Sequence, residues 1–528
     1  MFYSTTKLKV VLLPFLLGIL QVANAQQAGF SILNREYLIP LERKLLIDSV
    51  NFHSNCRPFA QAELPSDNII LKDSVHSFAK KIMHYGIFSK QEPGFKFALS
   101  PLVTLLTGYE FRNSKSIIDT RLGLRLNLAY KNKWGGEIQL VNTNGDYPSR
   151  WNNYAQGAKV LQGNGYAYPS NLGYTNLQCI GSLSFMPNNH FNFSAGRGKH
   201  FFGDGYRSLL LSDVASNYDY LKITTTIWKI KYVNLFGSFK DIRNSAGKNS
   251  RFQNKYATFH YLSWNATKRI NISFFESIIW QSRDSNNRNL GYDVNYLNPV
   301  IFYRPTEYSL GSSDNALIGM SFKVKLFKKQ LLYGQLLIDE FLLKEIRAQS
   351  GWWANKQGVQ LGLKSYDFLK FTGLFFQVEW NSVRPYTYAH SNTFQNYGHF
   401  NESLAHPLGA NFSEYFSNIN YQKNYWMIDL KYTYAQVGLD SAGKNFGQNI
   451  YQSNLSHEKE FGNKIGQGTK TNIHTFQFSY SYLLNKANNI RLELGFVEQL
   501  QSNNFSNLQN TYFYLGIRTA LNNAYFDF

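Results

Sequence analysis

The segment from Gly196 to Asp213, GRGKHFFGDGYRSLLLSD, concentrates glycine, charged and aromatic residues that could bind a phosphate or a sugar. Glycine beside lysine and arginine is typical of phosphate-binding loops, but the spacing G-x-x-x-x-G-K-[ST] is absent. A dinucleotide-binding loop would lead into a helix, whereas YLKITTTIWK, which follows at Tyr220, is typical of a strand. The pattern therefore argues against a nucleotide site.

Two compatible interpretations of this segment remain. In the structural one, glycines 196, 198, 203 and 205 allow tight turns, and the charged side chains pair within a compact loop. In the functional one, aromatic rings stack on sugars while basic groups bind the carboxylates of an acidic sugar chain. The residues predicted to bind a polysaccharide here are Arg197, Lys199, His200, Tyr206 and Arg207.

A second predicted surface patch lies in VRPYTYAHSN, where Arg384, Tyr386 and Tyr388 are candidate sugar-binding residues. The histidines 390, 399 and 406 nearby are nine and seven residues apart, spacings that fix no shared face, so no metal site is predicted. Ser208, His200 and Asp204 are close in sequence, but proximity within one loop is not triad geometry, and G-x-S-x-G is absent. The sequence predicts no enzyme and no cofactor.

The elements that position these residues are strands, because apolar and polar residues alternate along many segments. In RLGLRLNLAY, four leucines face one side while Arg121 and Arg125 face the other. Segments of about ten residues with aromatic ends suit tilted strands that cross a bilayer. The predicted fold is all-β and transmembrane, an outer-membrane barrel of about 18 antiparallel strands. A large soluble β-protein is the alternative.

The links between the predicted strands support the barrel. Strands are predicted at 95–111, 118–130, 134–142, 177–186, 190–197, 218–228, 232–240, 254–264, 269–280, 315–327, 330–341, 356–366, 371–381, 411–421, 425–438, 471–484, 489–500 and 510–521. Short turns alternate with long links, as between the periplasmic and exterior sides of an outer-membrane barrel. The long links are therefore expected at the cell surface.

Three regions are predicted along the chain. Residues 1–25 resemble a secretory signal peptide, with an apolar run after Lys7 and Lys9 and a small-x-small motif at Ala23 to Ala25. Residues 26–94 form a small periplasmic helical region, with helices at 35–50 and 71–88, and residues 95–528 form the barrel. Cys56 and Cys179 are either one disulfide or, as we favour, two buried free thiols.

The charge balance favours an anionic partner. The formal net charge is +20, and the predicted lumen-facing bases outnumber the lumen-facing acids Glu137, Asp429 and Glu493. The predicted lumen bases are Arg121, Arg125, Lys222, Lys323, Lys325, Lys364, Lys431 and Arg491. A basic lumen would concentrate anions, although polar lumen walls are ordinary and some lysines could instead face lipopolysaccharide phosphates. Nucleic acid is not an expected partner in an outer membrane.

Several segments resemble the Wzi-type capsule-assembly outer-membrane family, and more closely its Bacteroidetes-type branch, which includes a gliding-motility accessory protein. They are EYLIPLERK (36–44), GRGKHFFGDGYRSLLLSD (196–213), YLNPVIFYRPTEYSLGSSDNALIG (296–319), GQLLIDEF (334–341), VRPYTYAH (383–390) and AHPLGANFSE (405–414). The resemblance implies a barrel that helps to retain or assemble polysaccharide at the cell surface. No family binding residues are transferred to this chain.

The predicted function is non-catalytic binding or anchoring of anionic surface polysaccharide during capsule assembly. The alternatives are an accessory scaffold for gliding motility or a surface adhesin, and a porin for anionic solutes. Expected partners besides the polysaccharide are outer-membrane lipid, lipopolysaccharide, the barrel-insertion machinery, which commonly recognises a terminal aromatic such as that of YFDF, and motility or adhesin proteins.

Overall fold

The computed structural model describes residues 30–47, 52–64, 88–131, 133–283, 288–300, 314–441, 443–485, 488–525 and 527. These residues form a closed barrel of 18 antiparallel strands. The last strand pairs with the first, with Tyr512 opposite Glu110, so the barrel has no open sheet edge. The predicted fold class is therefore confirmed.

The barrel strands are β1 Phe95–Glu110, β2 Lys115–Tyr130, β3 Trp134–Asp146, β4 Gly173–Phe185, β5 Phe191–Gly198, β6 Tyr218–Ile227, β7 Ile230–Asp241, β8 Gln253–Trp264, β9 Ile270–Gln281, β10 Asn315–Phe327, β11 Gln330–Glu340, β12 Lys356–Tyr366, β13 Leu374–Val383, β14 Phe412–Lys423, β15 Trp426–Leu439, β16 Thr469–Asn485, β17 Ile490–Ser502 and β18 Asn507–Thr519. The α-helices among the described residues are α1 Arg35–Ile47, α2 Ser149–Ala158 and α3 Leu343–Arg347. Each predicted strand overlaps an observed one.

The alternation along the strands separates an apolar outer wall from the lumen. On β2, Leu122 and Leu124 are exposed on the outside, whereas Arg125 is buried inside. Aromatic side chains gather at strand ends on the outer wall, where Trp134 stacks on Phe185 and Trp426 stacks on Tyr480. This distribution is typical of the apolar band and aromatic girdles of membrane barrels.

The links differ between the two ends of the barrel. One end, the short-link end, has the links 131–133, 186–190, 228–229, 265–269, 328–329, 367–373, 424–425 and 486–489. The other, the long-link end, has 147–172, 199–217, 242–252, 282–314, 341–355, 384–411 and 440–468, with shorter links only at 111–114 and 503–506. The predicted alternation of short turns and long links is thus present.

The N-terminal region contributes one described helix, α1, within the predicted range 35–50. Most of the second predicted helix, 71–88, and the whole of 1–25 lie outside the described residues, and Phe88 begins a short strand, Phe88–Glu92, paired to β1. Within the described parts of the chain, no helix is long and apolar enough to cross a membrane.

Both cysteines are free thiols. Cys56 is buried in the lumen, and burial raises the pKa of its thiol to about 12. Cys179 is exposed, so the prediction of two buried thiols is wrong for this residue. The reason is register: Cys179 shares the outward face of β4 with the exposed Leu177 and Leu183.

The hydrophobic core of the protein lies inside the barrel. Inward side chains such as Phe259, Phe275 and Leu337 pack with residues of the long links in one buried cluster. A water-filled pore would instead have a polar interior. The lumen is therefore a packed interior that long links fill.

Candidate functional site: a closed lumen and a cavity at the long-link end

The link 199–217 between β5 and β6 folds into the lumen. Its three consecutive leucines, 209 to 211, are completely buried in the central hydrophobic cluster. Phe202 stacks on the inward ring of Tyr261, with ring centroids 4.6 Å apart. The segment is thus an internal plug anchored by apolar side chains, which accounts for the LLL run at its centre.

Inward polar side chains of the strands bind the backbone of this plug. Glu379 accepts hydrogen bonds from the backbone N–H groups of Tyr206 at 2.7 Å and Arg207 at 3.0 Å. Gln335 accepts from the N–H of Leu209 at 2.7 Å. Gly203 has φ +134°, and a Cβ there would lie 2.2 Å from the Gln335 side-chain nitrogen. The backbone approaches the wall closely because residue 203 is glycine.

Arg207 lies at the centre of a buried ion-pair network. It pairs with Glu414 at 3.1 Å and with Asp527 at 3.0 Å, and all three side chains are buried. His406 Nε2 lies 2.7 Å from the same Glu414 carboxylate. Burial alone would lower the pKa of Arg207, but Asp527 and Glu414 raise it well above its usual value. This arginine is a charged internal clamp.

The link 384–411 covers the plug from the long-link end. Tyr388 donates to the carbonyl of Leu209 at 2.8 Å, and Tyr397 donates to that of Leu210 at 2.5 Å. Glu402 accepts from the N–H of Gly163 at 2.6 Å and from that of Ser216 at 2.9 Å, so it joins three links. Burial raises the pKa of Glu402 to about 7. These links close the lumen.

Most of the predicted sugar-binding residues are part of this packing. Lys199, His200, Tyr206, Arg207, Tyr386 and Tyr388 are all buried. The prediction that the long loop 382–410 forms a surface patch is wrong for its tyrosines 386 and 388 and its histidines 390, 399 and 406, because these side chains are buried. Arg384 keeps some exposed surface and donates to the carbonyls of Asn355 at 2.6 Å and Trp352 at 3.2 Å. These contacts favour the structural interpretation of both segments.

Arg197 lies in β5, within the predicted strand 190–197, but its side chain is not part of the folded loop. It belongs to β5, because the strand continues through Gly196 and Gly198, and it points to the outer wall instead of lining a loop. Its guanidinium pairs with Asp219 of β6 at 2.7 Å. Pairing with both neighbouring strands keeps the glycine-rich residues 196–198 extended, so the loop begins only after Gly198.

Six of the eight predicted lumen bases pair with acids inside the barrel, and the other two contact a carbonyl and an aromatic ring. The pairs are Arg121 with Asp119 at 2.7 Å, Arg125 with Glu137 at 2.8 Å, Lys323 with Asp204 at 3.8 Å, Lys364 with Glu42 at 3.2 Å, and Arg491 with Glu36 and Glu493 at 3.2 Å. Lys325 donates to the carbonyl of Leu46, Lys222 lies 4.2 Å from the ring centroid of Phe30, and Lys431 pairs with Glu36 at 2.8 Å. The sequence located the bases, but many of their partners come from α1 and the plug.

The groups considered for catalysis and metal binding are engaged in separate contacts. Ser208 donates to the carbonyl of Phe202 at 2.6 Å, and His200 bonds the Tyr218 hydroxyl at 3.0 Å. Among the residues with described positions, no group of three or more His, Cys, Asp or Glu side chains is arranged to hold a metal.

A cavity of about 390 Å³ opens at the long-link end, and we call it the rim cavity. It is lined by Asn244, Ser250, Arg251, Phe252, Gln253, Asn254, Ser282, Arg283 and Asn289. One part of its lining is aromatic. The ring centroid of Phe252 lies 5.8 Å from that of Tyr166 and 5.4 Å from that of Phe400. Amides, hydroxyls, guanidinium groups and a ring in one cavity can bind an acidic sugar chain.

Sequence reasoning missed the rim cavity. Its residues come from two links, 242–252 and 282–314, and from the ends of the adjacent strands. The available signal was the run NSAGKNSRFQN, from Asn244 to Asn254, which is rich in amides and hydroxyls and carries two basic residues.

Comparison with known proteins places the fold. No protein-family model matches the sequence, and no curated protein does. The solved structure of Escherichia coli Wzi, described as an outer-membrane protein involved in group 1 capsule assembly and as a carbohydrate-binding β-barrel, matches with a TM-score of 0.55 and 12% identity over 92% of this chain and 99% of that chain. Pseudomonas aeruginosa OccK5 matches with a TM-score of 0.42 and 10% identity over 80% of this chain and 97% of that chain. The chain therefore has a Wzi-like outer-membrane β-barrel fold.

Proposed function

We propose that this protein is a non-catalytic outer-membrane barrel that binds an anionic surface polysaccharide at the rim cavity. The observation that carries the proposal is the rim cavity itself, a polar space of about 390 Å³ at the long-link end of a barrel whose lumen is filled. Cavities of this size are typical of small-ligand sites.

The chemistry of the rim cavity suits a uronate-containing chain. Arg251 and Arg283 supply planar guanidinium groups, which bind carboxylates in a bidentate manner. Asn244 and Asn254 supply amides for sugar hydroxyls, and Phe252 supplies a ring on which a sugar face can stack. The net charge of +20 would attract a polyanion from a distance.

The fold supports this role over the alternatives. The neighbour of most similar fold described above, Wzi, is itself named as a carbohydrate-binding barrel with a part in capsule assembly. A porin for anionic solutes is disfavoured because the link 199–217 and its ion pairs occupy the lumen. A role as a scaffold in gliding motility or adhesion, or membership of a Bacteroidetes-type branch, has no separate structural observation in its favour.

Of the predicted sugar-binding residues, Arg197 is the one that we retain near the proposed site. Its exposed guanidinium and its partner Asp219 lie close to Lys240 of β7. Lys240 in turn donates to Asn254, which lines the rim cavity. A bound polymer extending from the cavity would meet Arg197, whereas the buried Lys199 and Arg207 hold the plug.

The test compares two double variants with equal loss of charge. Arg251→Ala with Arg283→Ala removes both guanidinium groups from the rim cavity, while Lys444→Ala with Lys464→Ala removes two positive charges from the link 440–468. Binding of an alginate oligosaccharide, a uronate chain, is measured by calorimetry on the detergent-solubilised protein, with neutral dextran as the second ligand. Each lost charge-assisted hydrogen bond costs about 1.5–3 kcal/mol, so we expect at least a tenfold loss of alginate affinity in the cavity variant alone.

Equal weakening in both double variants would mean that only net charge matters and would contradict a site at the rim cavity. Equal binding of dextran and alginate would contradict recognition of an anionic chain.

A further inference from the structure

Part of the link between β9 and β10 lies against the outside of the barrel. We call residues 288–300 the outer strap. The Tyr232 hydroxyl donates to the carbonyl of Pro299 at 2.5 Å, and the Thr258 hydroxyl contacts the Tyr292 hydroxyl at 2.6 Å and the Tyr296 carbonyl at 3.0 Å. Tyr232 and Thr258 face outward, since their neighbours in the strands, such as Val233 and Phe259, belong to the core in the lumen.

The outer strap extends far down this wall. Tyr232 is the third residue of β7 counted from the short-link end, and it is bonded to the far end of the strap at Pro299. Nearer the long-link end, the rings of Tyr292 and Tyr296 pack on Trp280 of β9, with centroids 4.8 Å and 4.6 Å apart. The strap therefore covers the outer surface of β7, β8 and β9 over much of their length.

Beneath the outer strap lies a row of polar residues that a lipid-facing wall would not normally carry. Asn234, His260 and Glu276 are direct cross-strand neighbours on β7, β8 and β9, and all three point outward. They are nonetheless 2%, 0% and 1% exposed. His260 Nδ1 lies 2.7 Å from the Asn234 side-chain oxygen. A carboxylate or imidazole in contact with acyl chains is costly, so this row requires a cover.

The other face of the outer strap carries four apolar side chains, with Asn295 and Asn298 exposed between them. Leu290, Val294, Leu297 and Val300 are 59%, 72%, 43% and 62% exposed. The wall beside the strap exposes Leu221 on one side and Met320 on the other, so the apolar surface of the barrel continues across the strap. The exposed amides bond within the strap: Asn295 donates to the Asp293 carboxylate at 2.9 Å, and the Asn298 side-chain oxygen accepts from the N–H of Val300 at 3.1 Å.

We infer that the outer strap lies within the membrane, with Val294, Leu297 and Val300 in contact with lipid acyl chains and the polar row of Asn234, His260 and Glu276 sealed behind it. A link from the long-link end is thus part of the lipid-facing surface. The inference rests on the proposed placement of the barrel in an outer membrane.

Spin labelling tests the inference. Single cysteines replace Val294 and Val300 in a Cys179→Ala background, in which the remaining Cys56 is buried. Leu122→Cys on the outward face of β2 is the control for lipid contact, and Lys444→Cys in the link 440–468 is the control for water. The proteins are reconstituted in phosphatidylcholine vesicles, and the collision rates of each nitroxide with oxygen and with a nickel chelate are compared. We expect the collision rate with oxygen to exceed that with the nickel chelate at positions 294 and 300, as at position 122. At position 444 we expect the collision rate with the chelate to be the higher one.

Each other outcome has a definite meaning. If positions 294 and 300 match position 444, the outer strap lies in water and the inference is wrong. If both reagents are excluded from 294 and 300, a second copy of the protein or another part of the same chain covers the strap, which also overturns contact with lipid. If position 122 itself matches position 444, the barrel wall is not in contact with lipid and the proposed membrane placement is wrong. If only the inference about the strap is wrong, position 122 still reports lipid.

Discussion

Arg197 and Arg207 belong to one short segment, yet they lie on opposite sides of the barrel wall. The side chain of Arg197 is 48% exposed in its pair with Asp219, whereas that of Arg207 is 0% exposed between Glu414 and Asp527. The same residue type therefore has two different energetic roles. An exposed pair contributes little because water already solvates both charges, while removal of one member of a buried pair leaves uncompensated charge.

We predict that Arg207→Ala lowers the free energy of unfolding by about 3–5 kcal/mol, because Glu414 and Asp527 would remain buried without a cation. Arg197→Ala, the matched control from the same segment, should cost about 1 kcal/mol or less. Urea unfolding in lipid vesicles, followed by tryptophan fluorescence, measures both. Equal effects of the two substitutions would contradict the role of Arg207 as an internal clamp.

At the scale of elements, α1 supplies acids to bases on the barrel wall and in the lumen. Glu42 pairs with Arg57 at 2.6 Å and with Lys364 of β12 at 3.2 Å, and it accepts from the Tyr366 hydroxyl at 2.8 Å. Glu36 pairs with Lys431 of β15 and Arg491 of β17. The helix therefore binds distant strands together near the short-link end, and the barrel bases have a structural function there.

Glu42 gives this element a predictable response to acid. Burial alone would raise its pKa, but Arg57 and Lys364 outweigh burial and lower the pKa from 4.5 to about 2. A carboxyl with a lowered pKa stabilises the fold above its ordinary pKa, and that stabilisation is lost as the pH falls from 4.5 towards 2. The shift corresponds to about 3 kcal/mol.

We therefore expect Glu42→Gln to lower the thermal midpoint at pH 7 and to flatten its decline between pH 5 and pH 2. Circular dichroism of the detergent-solubilised protein, scanned at several pH values, measures both effects. Parallel pH profiles of the thermal midpoint for the two proteins would rule out Glu42 as the group responsible for the loss of stability in acid.

At the scale of the whole molecule, the barrel is a packed body with a polar cavity at its long-link end. Two cavities in the lumen, one beside α1 and one beside Cys56, each have a volume of about 20 Å³, room for roughly one water molecule. The rim cavity, at about 390 Å³, is far larger. The proposed binding at the rim cavity therefore does not require an open lumen.

The closed lumen leads to a prediction for conductance. In planar bilayers we expect the intact protein to give no steady ionic current, because the links 199–217 and 384–411 fill the lumen and are held by buried ion pairs and hydrogen bonds. An open porin reconstituted in parallel is the positive control. Stable, uniform conductance steps from the purified protein would show that the plug leaves the lumen and would restore the porin alternative.

The sequence by itself determined the eighteen strands, the short and long links and the set of inward bases. These features follow from period-two alternation and turn composition, which are local along the chain. It did not determine which charges meet, since Arg207 pairs with Glu414 and Asp527, and Arg491 with Glu36, across hundreds of residues. Nor did it reveal the rim cavity, which two separate links build together.

Only the tertiary structure decided whether GRGKHFFGDGYRSLLLSD lies on the surface or inside. Glycines and charges are compatible with both positions, and the choice depends on whether the opposite wall offers partners. Here Glu379, Gln335 and Glu414 offer hydrogen bonds and charge, so the polar groups of the segment are satisfied inside while its leucines leave water. The pairing of residues far apart in sequence, which no local pattern records, made this segment a plug.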